Sequence, residues 1–306
     1  LYNLLNGRYF NRRIMDLRIG FHVSIAGSIS NSVANALKIG CSAFQIFSRN
    51  PKGWSTKPID NEDSKIFQMK LADSRIQRNS VIVHMPYLPN LSSPNGELYK
   101  KSINVLSEEV YRCSILNISY LVIHLGSHLG KGSENGINQL IKACNYAFDN
   151  YKSSYQKTIP VTVLLENSAG QKNSIGSKFE EISVILDRLG SRKFGVCLDT
   201  CHAFASGYDL RTETGVDQIL ERFNKTIGLK ELKMVHLNDS KGDLNSHSDR
   251  HEHIGLGNIG KIGFGALFKH KNVTNLPIIM ETPIDAKRGD PENLKVVIDI
   301  IRNLKY

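Results

Sequence analysis

Eighteen residues, His236-Leu-Asn-Asp-Ser-Lys-Gly-Asp-Leu-Asn-Ser-His-Ser-Asp-Arg-His-Glu-His253, carry four histidines and three aspartates. Imidazole and carboxylate at this density form the ligand set of a borderline transition ion. The same residue types recur at the ends of short apolar runs. Val81-Ile-Val-His84, Leu121-Val-Ile-His124, Val161-Thr-Val-Leu-Leu-Glu166, Phe194-Gly-Val-Cys-Leu-Asp199, Leu232-Lys-Met-Val-His236 and Pro277-Ile-Ile-Met-Glu281 each finish on His, Asp or Glu. A strand that otherwise reads apolar has no packing reason to end that way. One such ending is ordinarily a hydrogen-bonded structural side chain, but six in succession are not explained so.

His202, three residues past Asp199, and the pair Asp249 and His251 enlarge the set. Asp249 and His251 alternate, so an extended loop points both the same way. The candidate ligands are then His84, His124, Glu166, Asp199, His202, His236, Asp249, His251 and Glu281. His253 shares the spacing but is expected to be a surface histidine. Mixed nitrogen and oxygen donors favour zinc, then manganese or iron, over magnesium, which prefers oxygen alone. A catalytic zinc takes about three protein ligands, so this set suits two or three ions with a carboxylate able to bridge. Divalent ions about 3.5–4 Å apart activate water and neutralise the attacking and leaving oxygens of a phosphoryl displacement. Lys and Arg number 39 against 29 Asp and Glu, a formal charge of +10, which favours an anionic partner. Together these features point to a phosphodiester.

Eight β-branched runs must position those side chains: the six above, preceded by Arg18–Val23, which carries His22, and Ala43–Phe47. Between them lie helical patterns over Ser30–Ile39, Glu97–Leu116, Gly136–Phe148, Lys178–Leu189, Gly215–Ile227 and Pro291–Leu304. Alternating strand and helix implies parallel pairing. The fold class expected is α/β, a single-domain (β/α)8 or TIM barrel with its site at the carboxyl ends of the strands. An open dinucleotide-binding sheet would normally show GxGxxG after strand one, and none follows it.

The barrel is expected over residues 15–306, with 1–14 set aside as a basic extension without assigned function. Five cysteines, an odd number without a CxxC pair, argue against a disulfide framework and for a reducing compartment. The expected location is cytoplasmic, at the nucleoid in a prokaryote, with mitochondrial or nuclear addresses open in a eukaryote. No apolar run reaches the roughly 18 residues of a spanning helix, so no membrane partner is expected.

The chain resembles the endonuclease IV family of abasic-site DNA repair enzymes from about Arg18 to its C-terminus. The resemblance is carried by Phe21-His-Val-Ser-Ile-Ala-Gly27, His84-Met-Pro-Tyr87, His124-Leu-Gly-Ser-His-Leu129, Glu166-Asn-Ser-Ala-Gly-Gln171, Cys197-Leu-Asp-Thr-Cys-His202, His236-Leu-Asn-Asp-Ser-Lys241, Asp249-Arg-His-Glu-His-Ile-Gly255 and Met280-Glu-Thr-Pro283. It implies three zinc ions per chain, with manganese or iron possible substitutes. His84, His124 and Glu166 would hold one; Glu166, Asp199, His236 and Glu281 a second; His202, Asp249 and His251 a third. Glu166, His124 and Glu281 are the implied catalytic residues.

The implied reaction hydrolyses the phosphodiester 5′ to an abasic site in double-stranded DNA by a metal-bridging hydroxide, leaving a 3′-hydroxyl and a 5′-deoxyribose phosphate. The loop Ser48-Arg-Asn-Pro-Lys-Gly-Trp54 and Tyr87 resemble elements that enter the DNA stack, so His22, Arg49, Lys52, Trp54 and Tyr87 are the expected DNA contacts. A monomer is expected. The rival reading is a sugar isomerase or epimerase on a related metal barrel, which has no need of His202, Asp249 and His251. Nucleophilic chemistry at Cys201 lacks an orienting third group beside His202.

Overall fold

The computed structural model describes residues 17–154, 161–190 and 193–304; the extension expected over 1–14 lies outside them. The strands in chain order are β1 Arg18–His22, β2 Ala43–Phe47, β3 Val81–His84, β4 Tyr120–His124, β5 Thr162–Glu166, β6 Phe194–Asp199, β7 Leu232–His236, β8 Asp239–Ser240, β9 His251–Glu252 and β10 Pro277–Met280. β1 to β7 and β10 pair in parallel and close, since β1 bonds to both β2 and β10. Closure leaves no barrel strand with an open edge. β8 and β9 form a separate antiparallel ribbon.

The helices are α1 Asn31–Ile39, α2 Asn61–Asp73, α3 Gly96–Leu116, α4 Ser133–Ser154, α5 Phe179–Leu189, α6 Thr200–Ala205, α7 Glu213–Thr226, α8 Gly260–Lys269, α9 Lys271–Thr274 and α10 Asp290–Arg302. Their starts follow local chemistry. Asn95 accepts from the amides of Glu97 and Leu98 to cap α3, and Thr212 accepts from that of Gly215 to cap α7. Four helices are not among the patterns that periodicity picks out: the short α6 and α9, and the longer α2 and α8. α2 buries only Ser64, Phe67 and Leu71. α8 contains Gly260, Gly263 and Gly265, which weaken helix propensity. Gly263 is required by packing, because a Cβ there would lie 2.0 Å from the Leu210 carbonyl oxygen.

The main apolar core lies between strands and helices, with Phe21, Phe44, Phe67, Phe179, Phe223 and Phe264 fully enclosed. A second cluster of Ala43, Ile82, Val122, Leu164, Cys197, Met234 and Ile279 fills the barrel interior. Among the described residues, no helix is long and apolar enough to cross a membrane.

Candidate metal centre

Side chains alternate along a strand, so residues two apart share a face. Two positions beyond each member of the interior cluster stand Gln45, His84, His124, Glu166, Asp199, His236 and Glu281, and β1 adds His22. The apolar layer is thus the floor, and the next inward-facing layer, at the carboxyl ends of the strands, is the site. Asp199 also caps α6, its Oδ1 accepting from the amide of His202 at 2.7 Å. That cap turns the chain so that His202 faces the same centre. The ribbon of β8 and β9 brings in Asp249 and His251.

Glu166 is central. Its Oε2 lies 3.3 Å from His84 Nε2 and 3.2 Å from His124 Nε2, and its Oε1 lies 2.9 Å from His236 Nδ1 and 3.5 Å from His202 Nδ1. His202 Nε2 is 3.1 Å from Asp249 Oδ1, and His251 Nε2 is 3.4 Å from the same oxygen. Three groups have ligand atoms within 4.8 Å of one another: His84, His124 and Glu166; Glu166, Asp199, His236 and Glu281; and His202, Asp249 and His251. Glu166 belongs to two of them. Asp199, Cys201 and His251 also converge, but burial pushes the Cys201 thiol well above its ordinary range, which disfavours the thiolate needed of a ligand or nucleophile.

Backbone carbonyls fix the imidazoles. His84 Nδ1 donates to Met85 O at 2.7 Å, His202 Nδ1 to Asn167 O at 2.9 Å and His251 Nδ1 to Glu281 O at 3.0 Å. Each Nε2 then presents a lone pair inward, the usual outer-shell arrangement around a metal. His236 is reversed: Nε2 donates to Gln45 Oε1 at 2.9 Å, and Nδ1 faces the carboxylates. Gln45 cannot be flipped without loss, because its Nε2 donates to Glu281 Oε1 at 2.7 Å. Buried Nε2 atoms of His202 and His251 have no hydrogen-bond partner. Unsatisfied buried nitrogens are costly, and a divalent cation answers them; the donor set therefore fits bound ions.

The electrostatics agree. Burial raises the Glu166 carboxyl, but the imidazoles of His236 and His124 outweigh it and hold the group well below the usual carboxylate range. Burial lowers the His202 imidazole, yet Asp199, Asp249 and Glu166 drive it well above its ordinary range. Protons gather where the carboxylates demand positive charge.

Residues 33–304 match the family model described as a xylose isomerase-like TIM barrel. The probable endonuclease 4 of Cenarchaeum symbiosum (strain A) is 50% identical over 280 residues, covering 91% of this chain and 98% of that protein. That of Aquifex aeolicus (strain VF5) is 42% identical over 284 residues, covering 93% and 98%. The chain belongs to the endonuclease 4 family. The crystal structure of endonuclease IV from Thermus thermophilus is similar at a TM-score of 0.82 and 30% identity, covering 94% of this chain and 100% of that one. A D-tagatose 3-epimerase-like protein, at a TM-score of 0.67 and 18% identity over 94% and 98% of the two chains, shares the fold alone.

Beyond the ligand layer, two sequence expectations for this family member are corrected. His253 is fully buried, not a surface histidine. Its Nε2 meets Asp285 Oδ1 at 2.9 Å and Asn293 Nδ2 donates to its Nδ1 at 3.0 Å, so it anchors the ribbon from behind. Arg49, expected at DNA, has no exposed side-chain surface; it donates to Glu108 Oε2 at 2.6 Å and to the Trp54 carbonyl at 2.7 Å. Lys52 is exposed, and Trp54 is half-buried against the core. Tyr87 stands 59% exposed, its ring 5.1 Å from Phe47 and 5.9 Å from His124. His22 lies deeper, 3.9 Å from Glu281, with Gln45 Nε2 donating to its Nδ1 at 3.0 Å.

A cavity of 370 Å³ opens over the ligands between Tyr87 and Pro283, and a recess of 300 Å³ beside it reaches Asn90 and Lys172. Gln45, Asn167 and Asn238 are site residues that metal-ligand chemistry alone does not single out in the sequence. Asn167 Oδ1 accepts the Asp199 amide at 2.7 Å, and Asn238 Nδ2 donates to Asp199 Oδ2 at 2.7 Å. Their signal was position: Asn167 follows Glu166 directly, and Asn238 lies two beyond His236.

Proposed function

We propose that the chain is a DNA repair endonuclease that hydrolyses the phosphodiester 5′ to an abasic site in double-stranded DNA, with three divalent ions, zinc first, held by the three side-chain groups. Ions held there supply an acidified water and neutralise charge on the phosphoryl oxygens. The chain's own part is to place donors and exclude alternatives. Glu166 stays anionic between His84, His124 and His236 and needs no proton to be stable there. Asn238 donates to the Asp199 carboxylate while Asn167 grips the Asp199 backbone through its amide and carbonyl, and Gln45 donates to the Glu281 carboxylate. Tyr87 lines the cavity over the ligands, and Lys52 and Trp54 on the loop after β2 would meet the DNA, in which an extruded nucleotide lacking its base costs little to unstack. Oxygen from water bonds to phosphorus, the bond to the 3′ oxygen breaks, and that oxygen takes a proton. The products are a 3′-hydroxyl and a 5′-deoxyribose phosphate.

The observation that carries the reading is the third group, His202, Asp249 and His251, which shares no residue with the other two but adjoins them, His202 Nδ1 lying 3.5 Å from Glu166 Oε1 and His251 Nε2 3.7 Å from Asp199 Oδ2. Charge spread over several phosphoryl oxygens makes use of a third cation; the enediol of a sugar epimerase needs it much less. The reading further rests on the endonuclease 4 relatives and the basic charge. Its test is incision of a duplex carrying one abasic analogue, with the new end assayed by polymerase extension. Extension from the incised end supports the proposal. An intact duplex, together with epimerisation of a free ketose, rejects it in favour of the rival.

A further inference from the structure

The loop between Phe47 and α2 carries the exposed Lys52 and the half-buried Trp54, yet its backbone is held from α3, far along the chain. Arg112 on α3 donates through Nε to Ser48 Oγ at 2.7 Å, through Nη1 to the Lys57 carbonyl at 3.0 Å, and through Nη2 to the Ser48 carbonyl. Ser48 Oγ donates in turn to Glu109 Oε2 at 2.6 Å. Arg49 Nη2 reaches the Trp54 carbonyl, and Arg49 Nη1 lies 3.7 Å from Glu109 Oε1. Every guanidinium bond to backbone in this cluster therefore ends on a loop carbonyl, at Ser48, Trp54 or Lys57.

Burying two guanidiniums and a carboxylate is expensive, and well-packed apolar residues would stabilise the fold at least as well. Glu109 is fully buried, and its Oε1 and Arg49 Nε have no hydrogen-bond partner. Stability alone does not account for such a cluster; fixed geometry does. A guanidinium is a planar fork that sets direction as well as distance, which lysine cannot reproduce. We infer that Arg49, Glu109 and Arg112 are positioning residues that hold the loop over 50–57 in the shape that meets DNA, so that Lys52 and Trp54 arrive preordered. The inference rests on the proposed DNA substrate for its consequence, but the loop's shape is measurable without DNA. A preordered loop avoids the ordering cost that binding otherwise meets, so its loss falls on KM rather than on the chemical step.

Trp54 is the chain's one tryptophan, so its fluorescence reports this loop alone. Acrylamide quenching of the free, metal-loaded protein is compared among wild type, Arg112→Lys and Ser48→Ala, with steady-state incision and metal content measured in parallel. Arg112→Lys is expected to raise the quenching constant about twofold and KM for the abasic duplex about tenfold, with kcat within about twofold and metal unchanged. Ser48→Ala, which removes only the hydroxyl joining Glu109 to Arg112, shifts both in the same direction by less. It decides the matter if Arg112→Lys does not fold. Unchanged quenching in the folded variants overturns the inference, as does a joint fall of kcat, metal content and thermal midpoint. If wild type incises no abasic DNA, the proposed function fails while the quenching comparison still decides the loop's support.

Discussion

Replacing His251 with alanine tests the third group at its weakest hold on the barrel. His251 sits on the two-residue strand β9, outside the barrel wall, with 19% of its side chain exposed. Its Nε2 faces Asp249 Oδ1 at 3.4 Å and Asp199 Oδ2 at 3.7 Å, and its Nδ1 donates to Glu281 O at 3.0 Å. Removal leaves His202 and Asp249 as the only donors of that group, too few to retain an ion that takes about three protein ligands. Metal content should fall by about one ion per chain. Losing one strong transition-state stabiliser slows reactions by about a hundredfold or more, or ~2.7 kcal/mol. The fold should lose about 1 kcal/mol, the worth of one hydrogen bond, because the apolar layers are untouched. The assay pairs elemental analysis with single-turnover incision of an abasic duplex. Full metal content with undiminished incision refutes the three-ion reasoning; loss of all metal with unfolding means that the ribbon is structural.

Glu166→Gln should cost more than His251→Ala in both metal content and incision, since Glu166 belongs to two groups; elemental analysis of the two variants side by side ranks them. Lys52→Ala and Trp54→Ala should weaken abasic-duplex binding without changing metal, and Lys52→Ala should lower the slope of log affinity against log salt by about one; metal loss from either would make the loop part of the centre. Burial raises the Glu109 carboxyl to about 7, against the hydrogen bond from Ser48 and the charges of Arg112 and Arg49. A raised carboxyl binds its proton more tightly in the folded state, so its stabilising contribution is present in acid and lost as pH rises through about 7. Relative to Glu109→Gln, wild-type unfolding free energy should drop by ~3 kcal/mol between about pH 4.5 and 7, and parallel denaturant midpoints across that range would contradict it.

Six of the eight barrel strands were legible because apolar runs ended on ligand-type residues and the first two from their β-branched and aromatic runs alone, and the bounds agree with the structure to within about one residue, as strand patterns allow. Gln45 escaped because it lies inside its run, two short of the end at Phe47, and an amide is no metal donor by type. Only closure of the barrel puts it level with Glu166. α8 escaped because three glycines mask its periodicity, one of which, Gly263, is required by close approach to Leu210. His253 and Arg49 escaped for a common reason. Residue type announces a polar tip, whereas burial depends on partners distant in sequence: Asp285 and Asn293 for one, Glu108 and Glu109 for the other. Only the three-residue spacing of Asp199 and His202 was read from the sequence; the cap that explains it, Asp199 accepting from the His202 amide at the start of α6, came with the structure.

Stepwise metal restoration tests the central claim most directly. Protein stripped by prolonged strong chelation is titrated with zinc, and incision of the abasic duplex is followed against zinc bound per chain, with no magnesium present. Three cooperating side-chain groups predict that incision recovers fully only as the third equivalent binds. Full incision at one equivalent, or a strict requirement for millimolar magnesium, would contradict it.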